Sequence, residues 1–454
     1  MDYSELNSEL WRPIVIIGLI SAITLIANVL RSKIPLIKKS YIPIAVLAGF
    51  ILLILRTVGL VEVRQDFLEL IIYHGIAIGF IAMSLRVKSN KVDGSYKVAV
   101  KSGALIVSTY LVQALTGLLI SIVMAAIFIP EFFPGSGILL AMGFGQGPGQ
   151  ANNVGLTYEA LGFAGGKSYG LAIAASGFLI ACTIGVFFLR SRKIIDVEYT
   201  DETSNNSEID IFQDRDEIPI AQSIDKLSIQ GALIVFVYLI TFAFLGGVSR
   251  LLNHFAPGLA SMLTPILWGF NFIFASVFAS GMNAVMGFLR KKNIMHHQYQ
   301  NNYLLNRISG LAFDIMIVAG IGSINFEDIS RWWIPFVITI IAGTFVTYFY
   351  LKFVCNKIYK GYENEGFLSM FGMLTGTISS GILLVREIDP EYKTPAANNL
   401  VSGSGTAILF GIPLLVLIGL AGKSFAMAVT VFGIIVVYLA FLITLIFKLN
   451  KEKK

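Results

Sequence analysis

Long apolar runs separated by short charged clusters dominate the chain. A helix crossing a bilayer needs about 20 mostly apolar residues. Eleven runs approach that length: roughly 13–30, 41–60, 67–85, 98–129, 168–189, 228–248, 260–288, 308–325, 332–351, 399–420 and 425–447. The fourth and seventh exceed a single crossing, which predicts tilt or a break in each. Two further runs, about 137–163 and 365–388, are apolar but interrupted by glycines and small polar residues. The pattern predicts an all-α polytopic membrane protein with two irregular segments.

Composition agrees. Of 454 residues, 14% are charged and 56% hydrophobic, whereas a soluble domain carries roughly 25% charged residues. Surface-to-volume scaling leaves a soluble fold no means of hiding so much apolar surface, so a soluble enzyme is excluded. The net charge of +6 is not a nucleic-acid signal, because the bases sit at the ends of apolar runs. Cys182 and Cys355 lie far apart in or beside apolar runs and read as small core residues. The opening MDYSELNSEL is acidic and lacks the basic start of a cleaved signal, so structure is expected from Trp11 onward.

Charge placement predicts the topology. If both irregular segments enter and leave by the same face, six basic clusters share one side. They are Arg31 to Lys39, Arg86 to Lys101, Arg190 to Lys193, Arg290 to Arg307, Lys352 to Lys360, and Lys448 to Lys454. The positive-inside rule makes that side the cytoplasm. The opposite loops hold Glu62, Asp66, Glu69, Glu131, Glu327 and Asp328, with scattered bases such as Arg56, Arg64, Arg250 and Arg331. Counting either segment as a full span puts basic clusters outside. Two re-entrant hairpins are therefore expected, with the N-terminus outside and the C-terminus in the cytoplasm.

This order divides the chain into residues 1–193, five spans with a hairpin at about 137–163, and 227–422, five spans with a hairpin at about 365–388. The halves begin on opposite sides, which is the inverted-topology repeat of secondary transporters. Phe144, Gly145 and Gly149 recur as Phe371, Gly372 and Gly376 at an offset of 227. Residues 423–454 form an additional C-terminal span. Residues 194–226 carry ten acids and few bases, the composition of a flexible cytoplasmic linker.

The candidate chemistry lies in the hairpins. The first tip reads Gly143-Phe144-Gly145-Gln146-Gly147-Pro148-Gly149-Gln150-Ala151-Asn152-Asn153. Alternate glycines and a proline cannot sustain a helix, and broken backbone survives in a bilayer only inside protein or along a water-filled cavity. Its amides then suit carboxylates and its carbonyls a hard cation. Gln146, Gln150, Asn152 and Asn153 add neutral donors and acceptors. Close helix packing accounts for the glycines but not for four amide side chains.

The second tip places Thr375, Gly376, Thr377, Ser379 and Ser380 midway along an apolar run, followed by Arg386. The hydroxyls either bond back to their own helix or form a polar tip. Arg386 reads as a carboxylate clamp or as an interfacial, snorkelling base. Asp314 is a lone carboxylate inside a span and needs a partner, for which a sodium ion or a substrate ammonium would serve. His74, Gln113, Asn271 and Asn283 read as interhelical hydrogen-bonders. GxxxxGK[ST], HExxH and paired intramembrane aspartates are absent, so neither an ATP-driven pump nor an enzyme is expected, and no organic cofactor.

Five spans, Gly143-x-Gly145-x-Gly147 on a first hairpin, a charged linker and an inverted second half together resemble the bacterial sodium–glutamate symporter family. Thr375-Gly376-Thr377 through Gly381, continuing as Leu383-Leu384-Val385-Arg386-Glu387-Ile388-Asp389-Pro390 and Thr394-Pro395-Ala396-Ala397, resembles the second-hairpin signature of its divergent branch. The resemblance implies a homodimer in the cytoplasmic membrane, with a mobile transport part that carries both hairpins and moves as an elevator. It implies that Gly145, Gly147, Thr375, Gly376 and Thr377 line sites for a small carboxylate and sodium; sodium is expected on Gly145 and Thr377 together with Asp314. Phe144 stands where better-known members carry a polar residue, and the last span is additional.

The expectation is a sodium-coupled symporter of glutamate or a similar carboxylate. The alternatives are an exporter or proton-coupled carrier of another organic anion, and a channel.

Overall fold

The computed structural model describes residues 7–38, 42–87, 96–191, 226–257, 260, 264, 267–269, 271–389 and 394–451. The linker reading therefore lies outside the described residues. The principal helices are α1 (Ser8–Lys33), α2 (Ile44–Thr57), α3 (Gln65–Ser84), α4 (Tyr96–Val123), α5 (Pro148–Ala160), α6 (Gly166–Ser191) and α7 (Lys226–Phe255). They continue as α8 (Asn271–Lys291), α9 (Asn302–Gly322), α10 (Trp333–Ile358), α11 (Glu363–Thr375), α12 (Ile378–Ile388), α13 (Ala396–Ala421) and α14 (Phe425–Lys451).

Among the described residues, ten helices are long and apolar enough to cross a membrane. The expected run at 41–60 forms the shorter apolar helix α2. This helix has 14 residues, a rise of about 21 Å against a hydrocarbon core of about 30 Å. Pro43 opens it, and Gly59, at φ +77°, follows its last turn. Glycine at positive φ ends a helix that an apolar sequence would otherwise extend. The fourth run is one helical stretch, Lys97–Phe128. Its last turn, Met124–Phe128, widens into π geometry before Pro130.

The chain forms two compact units, Met1–Ile72 with Val92–Asp196 and Ile317–Lys454, and Tyr73–Lys91 with Val197–Met316. Each draws on both sequence halves.

In the first unit α4 packs against α10, α13 and α14. Gly117 of α4 and Gly137 touch backbone to backbone, with no room for a methyl on either; small residues allow this approach between membrane helices. The C-terminal α14 is integral to this unit. Tyr438 Oη donates to Phe410 O at 2.6 Å, Lys101 Nζ to Asn450 Oδ1 at 3.3 Å, and Asn450 Nδ2 to Lys357 O at 3.0 Å. The short α2 lies on the end of α9, with Ile321 against Gly49 and Leu52 against Gly322.

The second unit has its own apolar core of Ile81, Ala82, Leu85, Ile234, Val237, Ala275, Ala279 and Leu305. The lone polar residues predicted as interhelical bonders act so here. Tyr238 Oη meets His74 Nδ1 at 2.7 Å and accepts from Asn271 Nδ2 at 3.1 Å. Asn283 Nδ2 donates to Ser84 O and Arg86 O at 2.8 and 3.1 Å.

Candidate functional site

Both irregular segments are helical hairpins of the first unit. In the first, a 3-10 turn (Pro134–Ile138) leads into a π turn (Ala141–Gln146), the chain breaks at Gly147, and α5 begins at Pro148. Gly147 sits at φ +83°, ψ −173°, a region open essentially to glycine alone. Pro148 has no N–H to extend the preceding helix, yet suits the first position of the next. Contacts along α6 show the chain turning back. Gly143 lies against Ile173 and Ala174, whereas Ala151 lies against Gly170 and Gly155 against Gly166 and Lys167. The first limb thus runs with α6 and the second against it.

The second hairpin breaks at Gly376, at φ −138° and ψ −107°, and at Thr377, where φ −141° and ψ 172° give extended backbone. Its limbs are pressed together at glycines. A methyl on Gly372 would stand 2.8 Å from the Gly381 Cα and 2.9 Å from Ser380 O. The limbs follow α6 as well, Leu384 packing on Gly185 and the Phe367 ring lying 5.0 Å from that of Phe188.

The two tips meet at Gly177 of α6. A methyl there would touch Thr375 O and stand 3.0 Å from Phe144 Cδ1. At the first break, a methyl on Gly147 would have as neighbours only Thr377 Cγ2 at 3.7 Å and Gly376 O at 3.8 Å. Gly145 is backed by the Tyr110 ring and by Gln113 of α4. Gln113 Nε2 donates to Leu374 O at 2.7 Å and to Thr347 Oγ1 of α10 at 3.1 Å. One amide therefore joins α4, α10 and both tips.

Each break leaves backbone groups without helical partners: N–H groups at the starts of α5 and α12, carbonyls at the end of α11. Side chains nearby are left open too. Gln150 Oε1 and Nε2, Asn152 Oδ1 and Gln113 Oε1 are buried with no hydrogen-bond partner in the protein. Leaving such a group unpaired costs about 1–3 kcal/mol, so these four call for a ligand or water.

Of the residues singled out from the sequence, Gly145, Gly147, Thr375, Gly376 and Thr377 come together at the tips. Gln146 is half-buried beside the break, and Gln150, Asn152 and Asn153 are buried in the first turns of α5. Ser380 is buried, its Oγ 3.5 Å from Thr377 Oγ1. The side chains of Ser379 and Arg386 lie outside the described residues. The backbone of Arg386 is nine residues beyond Thr377 on α12, about 13 Å along the axis, near the levels of Gly185 and Phe188 rather than Gly177.

Asp314 belongs to the second unit and is exposed. Its neighbours Phe313 and Met316 pack on Gly79 and Gly75. Among the described residues no group of three or more His, Cys, Asp or Glu is arranged to hold a metal.

Gln113, Thr347, Tyr110 and Gly177 were not legible as site residues. The sequence marks Gln113 only as a polar residue in an apolar run, and the other three are unremarkable in their spans. No protein-family model and no curated protein matches this chain.

Proposed function

We propose that this chain is a secondary active transporter that carries glutamate or a similar carboxylate across the cytoplasmic membrane with sodium. The observation that carries the reading is the meeting of two broken hairpins at Gly177, among buried amides that have no protein partner. Helix N-termini at α5 and α12 offer N–H groups and a positive dipole end to a carboxylate. The carbonyls ending α11 suit a hard cation, the division of labour found where transporter helices are interrupted. A continuous pore would need an open path between the tips. Their packing on α6, α4 and α10 instead favours occluding a small solute.

The inverted repeat is supported by a reciprocal pair of amides. Gln65, the first residue of α3, donates from Nε2 to Ser323 O at 2.9 Å, just past the end of α9. Asn302, the first residue of α9, donates to Val87 O at 2.9 Å and accepts from Val87 N at 2.8 Å, just past the end of α3. Each unit therefore pairs the start of one of these two helices with the chain just past the end of the other. The offset of 227 does not align the breaks, because it matches Gly376 to Gly149 whereas the first hairpin breaks at Gly147. In the mechanism we propose, the hairpin-bearing unit moves as an elevator within a homodimer, with the N-terminus outside and the C-terminus in the cytoplasm.

Proteoliposome uptake under an imposed sodium gradient, screened over amino and dicarboxylic acids, tests this. Saturable uptake that collapses when choline replaces sodium is expected. Flux that neither saturates nor depends on sodium would favour a channel, and saturable flux driven by protons alone would favour the proton-coupled carrier.

A further inference from the structure

Gln113 is placed to do more than join helices. Leu374 O and its amide are 2.7 Å apart, and a carbonyl oxygen can only accept. The NH2 end must therefore face Leu374, and both its hydrogens are engaged, one by Leu374 O and one by Thr347 Oγ1. The orientation is thus set by chemistry. Oε1 is left pointing toward the first tip, where a methyl on Gly145 would stand 2.9 Å away. Gln113 is fully buried, and Oε1 has no donor in the protein. On its other side the amide holds the last turn of α11, whose remaining carbonyls are released by the break at Gly376.

A proton-free oxygen beside broken backbone is a ligand for a hard monovalent cation, as carbonyl oxygens are where they replace an ion's hydration shell. We propose that Gln113 is both an ion ligand and a positioning residue: Oε1 takes part in holding the coupling cation at the first tip, and Nε2 passes its occupancy to the second tip through Leu374. A cation on the amide oxygen withdraws electron density from the nitrogen and strengthens both N–H donors, the polarisation expected along a buried hydrogen-bonded chain. Ion binding then tightens the grip on Leu374 O and orders the second tip. The inference rests on the cation-coupled transport reading, to which it adds a residue and a route.

The test is thermal unfolding of the detergent-purified full chain, with sodium titrated against choline at constant ionic strength and no organic substrate present. A ligand that binds only the folded state raises its apparent stability with concentration. The native chain is expected to be stabilised by sodium. Gln113→Met keeps the side-chain length but removes the oxygen, and should raise the sodium midpoint at least tenfold. Thr347→Val removes one acceptor of the same amide without touching Oε1, and should leave the midpoint within twofold. If Gln113→Met does not fold, Gln113→Asn carries the test: it keeps the amide, withdraws the oxygen by one methylene and should also raise the midpoint at least tenfold. Unchanged midpoints in the Gln113 variants, or equal shifts in Thr347→Val, overturn the role of Gln113 and leave sodium coupling intact. A native chain indifferent to sodium overturns both.

Discussion

Two glycines at the tips do different work, and substitution separates them from each other and from a control glycine on α7. Gly147 needs its positive φ, so its methyl would make only ordinary contacts with Thr377 and Gly376 but on strained backbone. Gly177 has ordinary helical backbone, and a methyl there would strike Thr375 O. Gly246 of α7 has nothing within 4 Å of a methyl. Gly177→Ala is therefore expected to part the tips and lower uptake at least tenfold, while Gly246→Ala leaves it unchanged. Equal uptake by the two variants in proteoliposomes would remove Gly177 from the site. Gly147→Ala should cost about 1–3 kcal/mol of backbone strain and lower uptake with the fold retained. Thr377→Val replaces a hydroxyl at nearly constant shape. Losing about 1 kcal/mol of hydrogen bonding should raise the apparent sodium or substrate constant roughly fivefold, read from initial uptake rates.

At the scale of elements, apolar length predicted nearly every helix, but not how long each would be. The run at 41–60 has the composition of a span, yet Pro43 and Gly59 confine α2 to Ile44–Thr57. The breaks at Gly147 and Gly376 were legible because glycines and Pro148 act locally on backbone. The amides that tie one helix end to the backbone past another were not. Asn302 exchanges two hydrogen bonds with Val87. Asn302→Leu should therefore strand a donor and an acceptor at about 1–3 kcal/mol each when buried. A lowered midpoint of thermal unfolding is expected. Asn302→Asp, which keeps the acceptor for Val87 N–H, should lose less. Identical midpoints for the two variants would make this pairing incidental.

At the scale of the whole molecule, topology follows from where the bases fall. Residues 196–225 and Lys454 are expected in the cytoplasm and residues 1–10 outside. Cys182 and Cys355 are buried and form no disulfide, so single cysteines introduced elsewhere can be read against a quiet background. Glu5→Cys and Asn205→Cys should label from opposite faces with an impermeant thiol reagent. Labelling from one face would end the inverted-repeat reading.

What the sequence determined by itself is what depends on local physics. Hydrophobic runs demand a bilayer, basic clusters predict an orientation, and glycines with a proline break two helices at Gly147 and Gly376. Only the tertiary structure decided what the breaks face. Gly177 lies 30 residues from Gly147 in the chain and Gln113 lies 34, and neither carries any local sign of belonging with a hairpin tip. Their roles arise where α6 and α4 bring a missing side chain and an amide to the same point. In an all-apolar helix interior such a point has no signature along the chain, because it is defined by the approach of four separate segments. Gln113 reads as a lone polar residue until its amide is seen to hold Leu374 with one end and to leave the other unpaired beside Gly145.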